Sequence, residues 1–259
     1  MSEPELNDPP QPLVAHLTEL RSRLLRSLLV VSVLVLGLLY FSNDIYAFFS
    51  EPLRRLLPAG SGMIATEVAG TFFAPFKLTV VAALLLSMPY ILYQIWSFIA
   101  PGLYRHEKRF AIPLLASSVV LFYAGMAFAY YVVFPLVFGF FSRVAPEGVA
   151  YTPDISKFLD VALKMLFAFG FTFEIPIATV LLVWSGITTP DALVAKRPYV
   201  IVGCFVVGAL LSPPDVISQT MMALPMWFLF EAGVICSRFI KREMDEKERA
   251  EQELEKSRP

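Results

Sequence analysis

Three carboxylates stand where an apolar chain has no routine use for an acid. Glu19 lies in HLTELRSRLL among Arg21, Arg23 and Arg26, directly ahead of the run LLVVSVLVLGLLYF. Glu107 lies in SFIAPGLYRHEKR beside Arg105, Lys108 and Arg109, and Glu174 sits midway along an apolar run, in FGFTFEIPIATVLL. The plain expectation for Glu19 is a helix-surface ion pair with Arg23, four residues on and in the favourable order, worth about 0.2–0.5 kcal/mol. For Glu107 it is charge balance among its basic neighbours. A charge at the depth of Glu174 costs on the order of 3 kcal/mol, so its side chain must meet a polar group. Thr172 and Thr179 on its own segment, or Gln219 and Thr220 on the last, are the groups available. Its role is then either packing glue between helices or contact with a substrate or partner.

The remaining charged residues in apolar segments have simpler explanations. Lys164 follows Asp160 by four residues, a spacing that allows an ion pair while the long stem reaches outward, and Lys77 is explained in the same way. Asp215 after two prolines is placed to cap a helix, and Glu231 with Arg238 reads as interfacial. HExxH, GxSxG and Walker sequences are absent, which argues against an enzyme. His16 and His106 have no ligand-like spacing, and Cys204 and Cys236 have no CxxC pattern, so both cysteines read as small buried hydrophobes. No metal, cofactor or disulfide is expected.

The elements that must position these groups are apolar helices. Of 259 residues, 57% are hydrophobic and only 17% charged, with a mean hydropathy of +0.65; that balance belongs to an integral membrane protein. Nothing alternates with period two, and an isolated spanning segment must satisfy its own backbone, so the spans are helices. Six are expected, at about 24–40, 78–97, 112–134, 161–184, 198–211 and 216–236. Residues 1–23 form an N-terminal segment without the pattern of a cleaved signal peptide, and 237–259 a charged tail, helical or disordered. Of the 21 Lys and Arg, fifteen fall on the side of the N-terminus and six on the other, which puts both termini in the cytoplasm. The basic residues are thereby explained by topology, and nucleic acid is not an expected partner.

Two external loops are expected, 45–70 with the amphipathic YAFFSEPLRRLL at the interface, and 139–156. Between Pro198 and Pro213 only about 21 Å of helix fits, against roughly 30 Å of hydrocarbon. Spans five and six are therefore short, and would thin the bilayer locally. Prolines at 89, 113, 135, 176 and 225 should each bend a helix. No two glycines lie four apart, so the simple GxxxG dimer face is missing.

HLTELRSRLL, SFIAPGLYRHEKR, FGFTFEIP, KRPY and LLSPPDVISQ occur in this order along residues 12–240. Together they resemble the TatC family of twin-arginine protein translocase subunits. The resemblance implies an all-α membrane fold of six helices in a curved, concave bundle with short fifth and sixth helices. It also implies a receptor in the bacterial cytoplasmic (inner) membrane for twin-arginine signal peptides of folded cargo, driven by the proton-motive force. TatB and TatA would be its partners, with self-association in a multi-subunit complex. By motif position, Glu19 and Glu107 would receive the arginines, with Arg21, Phe98, Tyr104 and Arg105 on the same surface. Pro52 in the first external loop and Glu174 carry over as functional, and Gln219 is a second intramembrane polar candidate.

The chemistry agrees with that implication. Guanidinium pairs with carboxylates through parallel hydrogen bonds, so an arginine pair suits two carboxylates held apart on one face. The apolar part of a signal peptide would lie in the concave face near Glu174, lined by Phe169, Phe171 and Phe173, with partner helices along span five. A secondary transporter, without the paired repeats that such proteins usually carry, and a membrane assembly scaffold are the alternatives.

Overall fold

The computed structural model describes residues 13–56, 62–99, 108–144, 152–211 and 216–256. Its elements are helical: α1 Leu13–Leu38, a 3-10 turn at Leu39–Phe41, α2 Ser42–Leu56, α3 Gly70–Leu86, α4 Met88–Ile99, α5 Lys108–Phe128 and a π turn at Ala129–Val133. Then follow α6 Phe134–Val144, α7 Ile155–Thr172, α8 Ile175–Trp184, α9 Pro190–Ala195, α10 Arg197–Leu211 and α11 Val216–Lys256. Among the described residues, four helices are long and apolar enough to cross a membrane: Leu17–Glu51, Ile112–Val144, Ile155–Trp184 and Gln219–Glu246. α3 and α4 pass the same test only together and are bent by 48° at their break, as a broken span or a re-entrant loop would be, and α10 is a shorter apolar helix. At 15 residues α10 is about 22 Å long.

Prolines set the breaks. Pro89 has no N–H for the carbonyl of Leu85, and α3 gives way to α4 just before it; the Tyr123 hydroxyl of α5 donates to that carbonyl instead, at 3.0 Å. Pro135 is accommodated by the π turn, where Phe134 N–H reaches back five residues to Ala129 O. The stretch up to Val144 thus stays helical, so the second loop begins later than the expected 139. Phe173 and Glu174 separate α7 from α8, with Pro176 in the first turn of α8. Pro113 and Pro225 lie inside α5 and α11, which run through them without a break. The charged tail continues α11 as helix up to Lys256.

The core lies where α3, α5, α6, α7 and α11 meet. Phe122, Phe134, Leu159, Met165, Phe169 and Met222 are fully buried there. A run of aromatic contacts, Phe49 to Phe134 to Phe138 to Phe158, with centroids 5.9, 5.7 and 4.9 Å apart, ties α2, α6 and α7. By contrast, Leu24 and Leu36 of α1 are 67% and 72% exposed, an arrangement suited to lipid contact. Cys204 is buried, but Cys236 is exposed, contrary to expectation.

Close helix approach depends on glycines, two of which face the backbone of a neighbouring helix. A Cβ at Gly125 would lie 2.5 Å from Phe169 O, joining α5 to α7, and one at Gly233 would lie 2.3 Å from Thr179 Oγ1 and 2.8 Å from Pro176 Cα, joining α8 to α11. Gly203 has nothing within 4 Å. Gly125→Ala and Gly233→Ala should each destabilise by about 1–3 kcal/mol, read as a lowered unfolding midpoint in detergent, whereas Gly203→Ala should not.

Candidate functional site

At the N-terminal end of the bundle, the spacing of four in α1 puts Glu19 and Arg23 on one face, and Arg21 points away and is exposed. Arg23 Nε and Nη2 both donate to Glu19 Oε1, at 2.9 and 2.5 Å. The same guanidinium reaches α4: Nη1 donates to Gln94 Oε1 at 3.0 Å and Nη2 to Ser97 O at 3.3 Å. Ser97 is in the last turn of α4, where carbonyls lack a helical donor. Phe98, half-buried, follows it. The expected i, i+4 pair is thus present, but as part of a bridge between two helices. Glu107, Tyr104 and Arg105 lie outside the described residues, as does the side chain of Pro52, whose backbone belongs to α2.

At mid-membrane, the break between α7 and α8 places Glu174 against α5, where the Ser118 hydroxyl donates to Oε2. Oε1 is buried without a partner. None of the four polar groups expected to meet Glu174 does so. Thr172, Thr179 and Thr220 bond back to carbonyls of their own helices, and Gln219 Nε2 donates to Phe205 O across the α10 and α11 interface, at 2.7 Å. Ser118 was legible only as one hydroxyl of span three; its meeting with Glu174 depends on how α5 and α7 pack. The groove expected from Phe169, Phe171 and Phe173 is corrected in part: Phe169 is fully buried against Phe128, while Phe171 is 55% exposed. Gln219 helps line an open groove of about 430 Å³ with Ile201, Val202, Phe205, Val206, Ala209 and Leu210.

Two further ion pairs differ from expectation. Asp160 pairs with Lys77 of α3, not with Lys164. Glu231, expected only to be interfacial, pairs with Arg197 at the start of α10, at 2.5 Å. The arginine of KRPY therefore fastens α10 to α11. Asp215 lies outside the described residues. Among the described residues no group of three or more His, Cys, Asp or Glu could hold a metal ion.

The opposite end is fastened by Asp154, which the sequence reading passed over. One oxygen caps α7 through the amides of Ser156 and Lys157, at 2.9 and 3.0 Å. The other accepts from the hydroxyl and amide of Thr66, at 2.7 and 2.9 Å. Ile64 and Asp154 form a parallel bridge beside it. These donors, the Thr66 hydroxyl foremost, hold the carboxyl well below the ordinary carboxylate range.

The comparisons with known proteins address the whole chain. Residues 15–225 match the family described as Sec-independent protein translocase protein (TatC). The chain belongs to the TatC family. The Sec-independent protein translocase protein TatC of Azotobacter chroococcum mcd 1 is 63% identical over 228 residues, covering 88% of this chain and 89% of that protein. The protein of the same name from Escherichia coli K12 is 59% identical over 229 residues, covering 88% and 89%. Two crystal structures of the twin arginine translocase receptor TatC, one of them in DDM, superpose with TM-scores of 0.76 and 0.77 at 34% identity. Each covers 86% of this chain, and 98% and 99% of the solved chain. The protein is accordingly a multi-pass, all-α membrane component of protein transport, and Glu19, Arg23 and Glu174 all lie within the stretch matched to TatC.

Asp154 generates a pH prediction. Its folded value is depressed, so its contribution is complete above the ordinary carboxylate pKa of about 4 and is lost as pH falls through the lower folded value. Hydrogen exchange at the amides of Ile64, Thr66 and Ile155 should stay slow below pH 4 in the wild type. Asp154→Asn should exchange faster at neutral pH and show no further acid-dependent loss.

Proposed function

We propose that the protein is the receptor subunit of a twin-arginine translocation system in the bacterial cytoplasmic (inner) membrane, with both termini in the cytoplasm and six crossings. It binds twin-arginine signal peptides of folded proteins and works with TatB and TatA in a multi-subunit complex driven by the proton-motive force. It acts by binding and carries out no catalytic step. The observation that carries this reading is Glu19, a part-exposed carboxylate held at the membrane edge against the end of α4. The likeness to two solved structures of a twin arginine translocase receptor supports it.

In this reading Glu19 and Glu107 each receive one arginine of the signal peptide. Planar guanidinium matches a carboxylate by geometry as well as charge, and an ammonium does not. Arg21, Phe98, Tyr104 and Arg105 complete the surface. The apolar part of the signal peptide lies along the concave face near Phe171 and Glu174, whose Oε1 is buried without a hydrogen-bond partner. TatB or TatA helices occupy the groove of α10 containing Gln219, where the short helix thins the membrane. Pro52 acts at the outer end, on α2.

Peptide binding to purified protein tests the arginine site. Glu19→Ala or Glu107→Ala should weaken a twin-arginine peptide by at least about tenfold, since each removes a charged hydrogen-bond partner, and a Lys-Lys peptide should bind as poorly to the wild type. Equal affinity for both peptides would sink the assignment. For the groove, Glu174→Gln should fold normally yet impair export of a reporter cargo in cells. Unchanged export in Glu174→Ala would return Glu174 to a packing role.

A further inference from the structure

The four hydrogen bonds of Arg23 carry an inference that rests on the receptor reading above. All three guanidinium nitrogens are engaged, with acceptors on two helices: Glu19 Oε1, Gln94 Oε1 and Ser97 O. The Arg23 side chain is only 19% exposed and that of Glu19 is 32% exposed, so the carboxylate keeps an open side while the guanidinium is largely covered. Both bonds to Glu19 go to a single oxygen, Oε1. Oε2 accepts neither of these two bonds.

We propose that Arg23 is a positioning residue for recognition of a guanidinium ligand, fixing Glu19 against the end of α4 so that Oε2 faces an incoming arginine. A freely rotating carboxylate would accept a lysine ammonium almost as well, because a point charge needs no particular orientation. Held by one oxygen, Glu19 offers lone pairs in a set plane, and the planar fork of an arginine gains most from that. The ladder Glu19, Arg23, Ser97 also links the site to the helix that leads into the loop of Glu107. Gln94, buried at 6% exposure, would lose a donor if Arg23 were removed. Lysine at this position keeps the charge but cannot reach all three acceptors at once.

The discriminating measurement is the ratio of affinities for Arg-Arg and Lys-Lys signal peptides, read by fluorescence anisotropy on full-length protein in detergent. Arg23→Lys should lower that ratio about tenfold, the effect of losing oriented charged hydrogen bonds, with its unfolding midpoint unchanged. A role in folding alone would weaken both peptides alike and leave the ratio intact, which would overturn the proposal. Tighter Arg-Arg binding in Arg23→Gln would also overturn it, by making Arg23 a competitor for Glu19. Should Arg23→Gln fail to fold, Arg23→Lys decides. A wild type that does not distinguish the two peptides discards the receptor reading and this inference with it; a wild type that does, beside an Arg23→Lys with full selectivity, discards this inference alone.

Discussion

Backbone hydrogen bonding in hydrocarbon is the constraint on which the rest of this structure depends. Lipid offers no donor or acceptor, so each group freed by a proline must be recovered within the protein. Tyr123 does so for Leu85 O, and just ahead of Pro135 the π turn bonds Phe134 N–H to Ala129 O. The bends are therefore built elements rather than slack. The turn between α7 and α8 has a consequence for a side chain. It puts Glu174 at a helix boundary, within reach of Ser118 on a different helix.

The same constraint explains why small hydroxyl side chains in the spans mostly turn inward. Thr79, Thr172, Thr179 and Thr220 each donate to a carbonyl three or four residues back. Such bonds cost no partner from another helix, so they are made wherever the local turn permits. Longer polar side chains have no such local choice. Gln219, Arg23, Arg197 and Lys77 reach across to neighbouring helices and set how those helices register. Exposed ion pairs add little stability, and their value here is geometric.

That division decided what could be read in advance. Helical class and membrane residence were legible because apolar composition over about twenty residues admits few other structures. The pair of Glu19 with Arg23 was legible because residues four apart on a helix are neighbours wherever the helix goes. Asp160 with Lys164 obeyed the same rule and failed, because Lys77 on α3 came close enough to take the carboxylate. Glu231 likewise found its partner on another helix, in Arg197. Asp154 carried an N-cap signal ahead of Ile155, but its bond to Thr66 joins two loops far apart in sequence.

By itself the sequence determined the class of the protein, its helical character and, through five ordered motifs, its resemblance to TatC. Each depends on composition or on separations of a few residues, which survive in any packing. Only the tertiary structure decided that Glu174 meets Ser118, that Phe169 is core while Phe171 is exposed, and that Arg23 bridges Glu19 to α4. Those contacts depend on where one helix is bent and how closely another can approach, and a side chain in lipid takes whichever polar partner the packing brings within hydrogen-bond range.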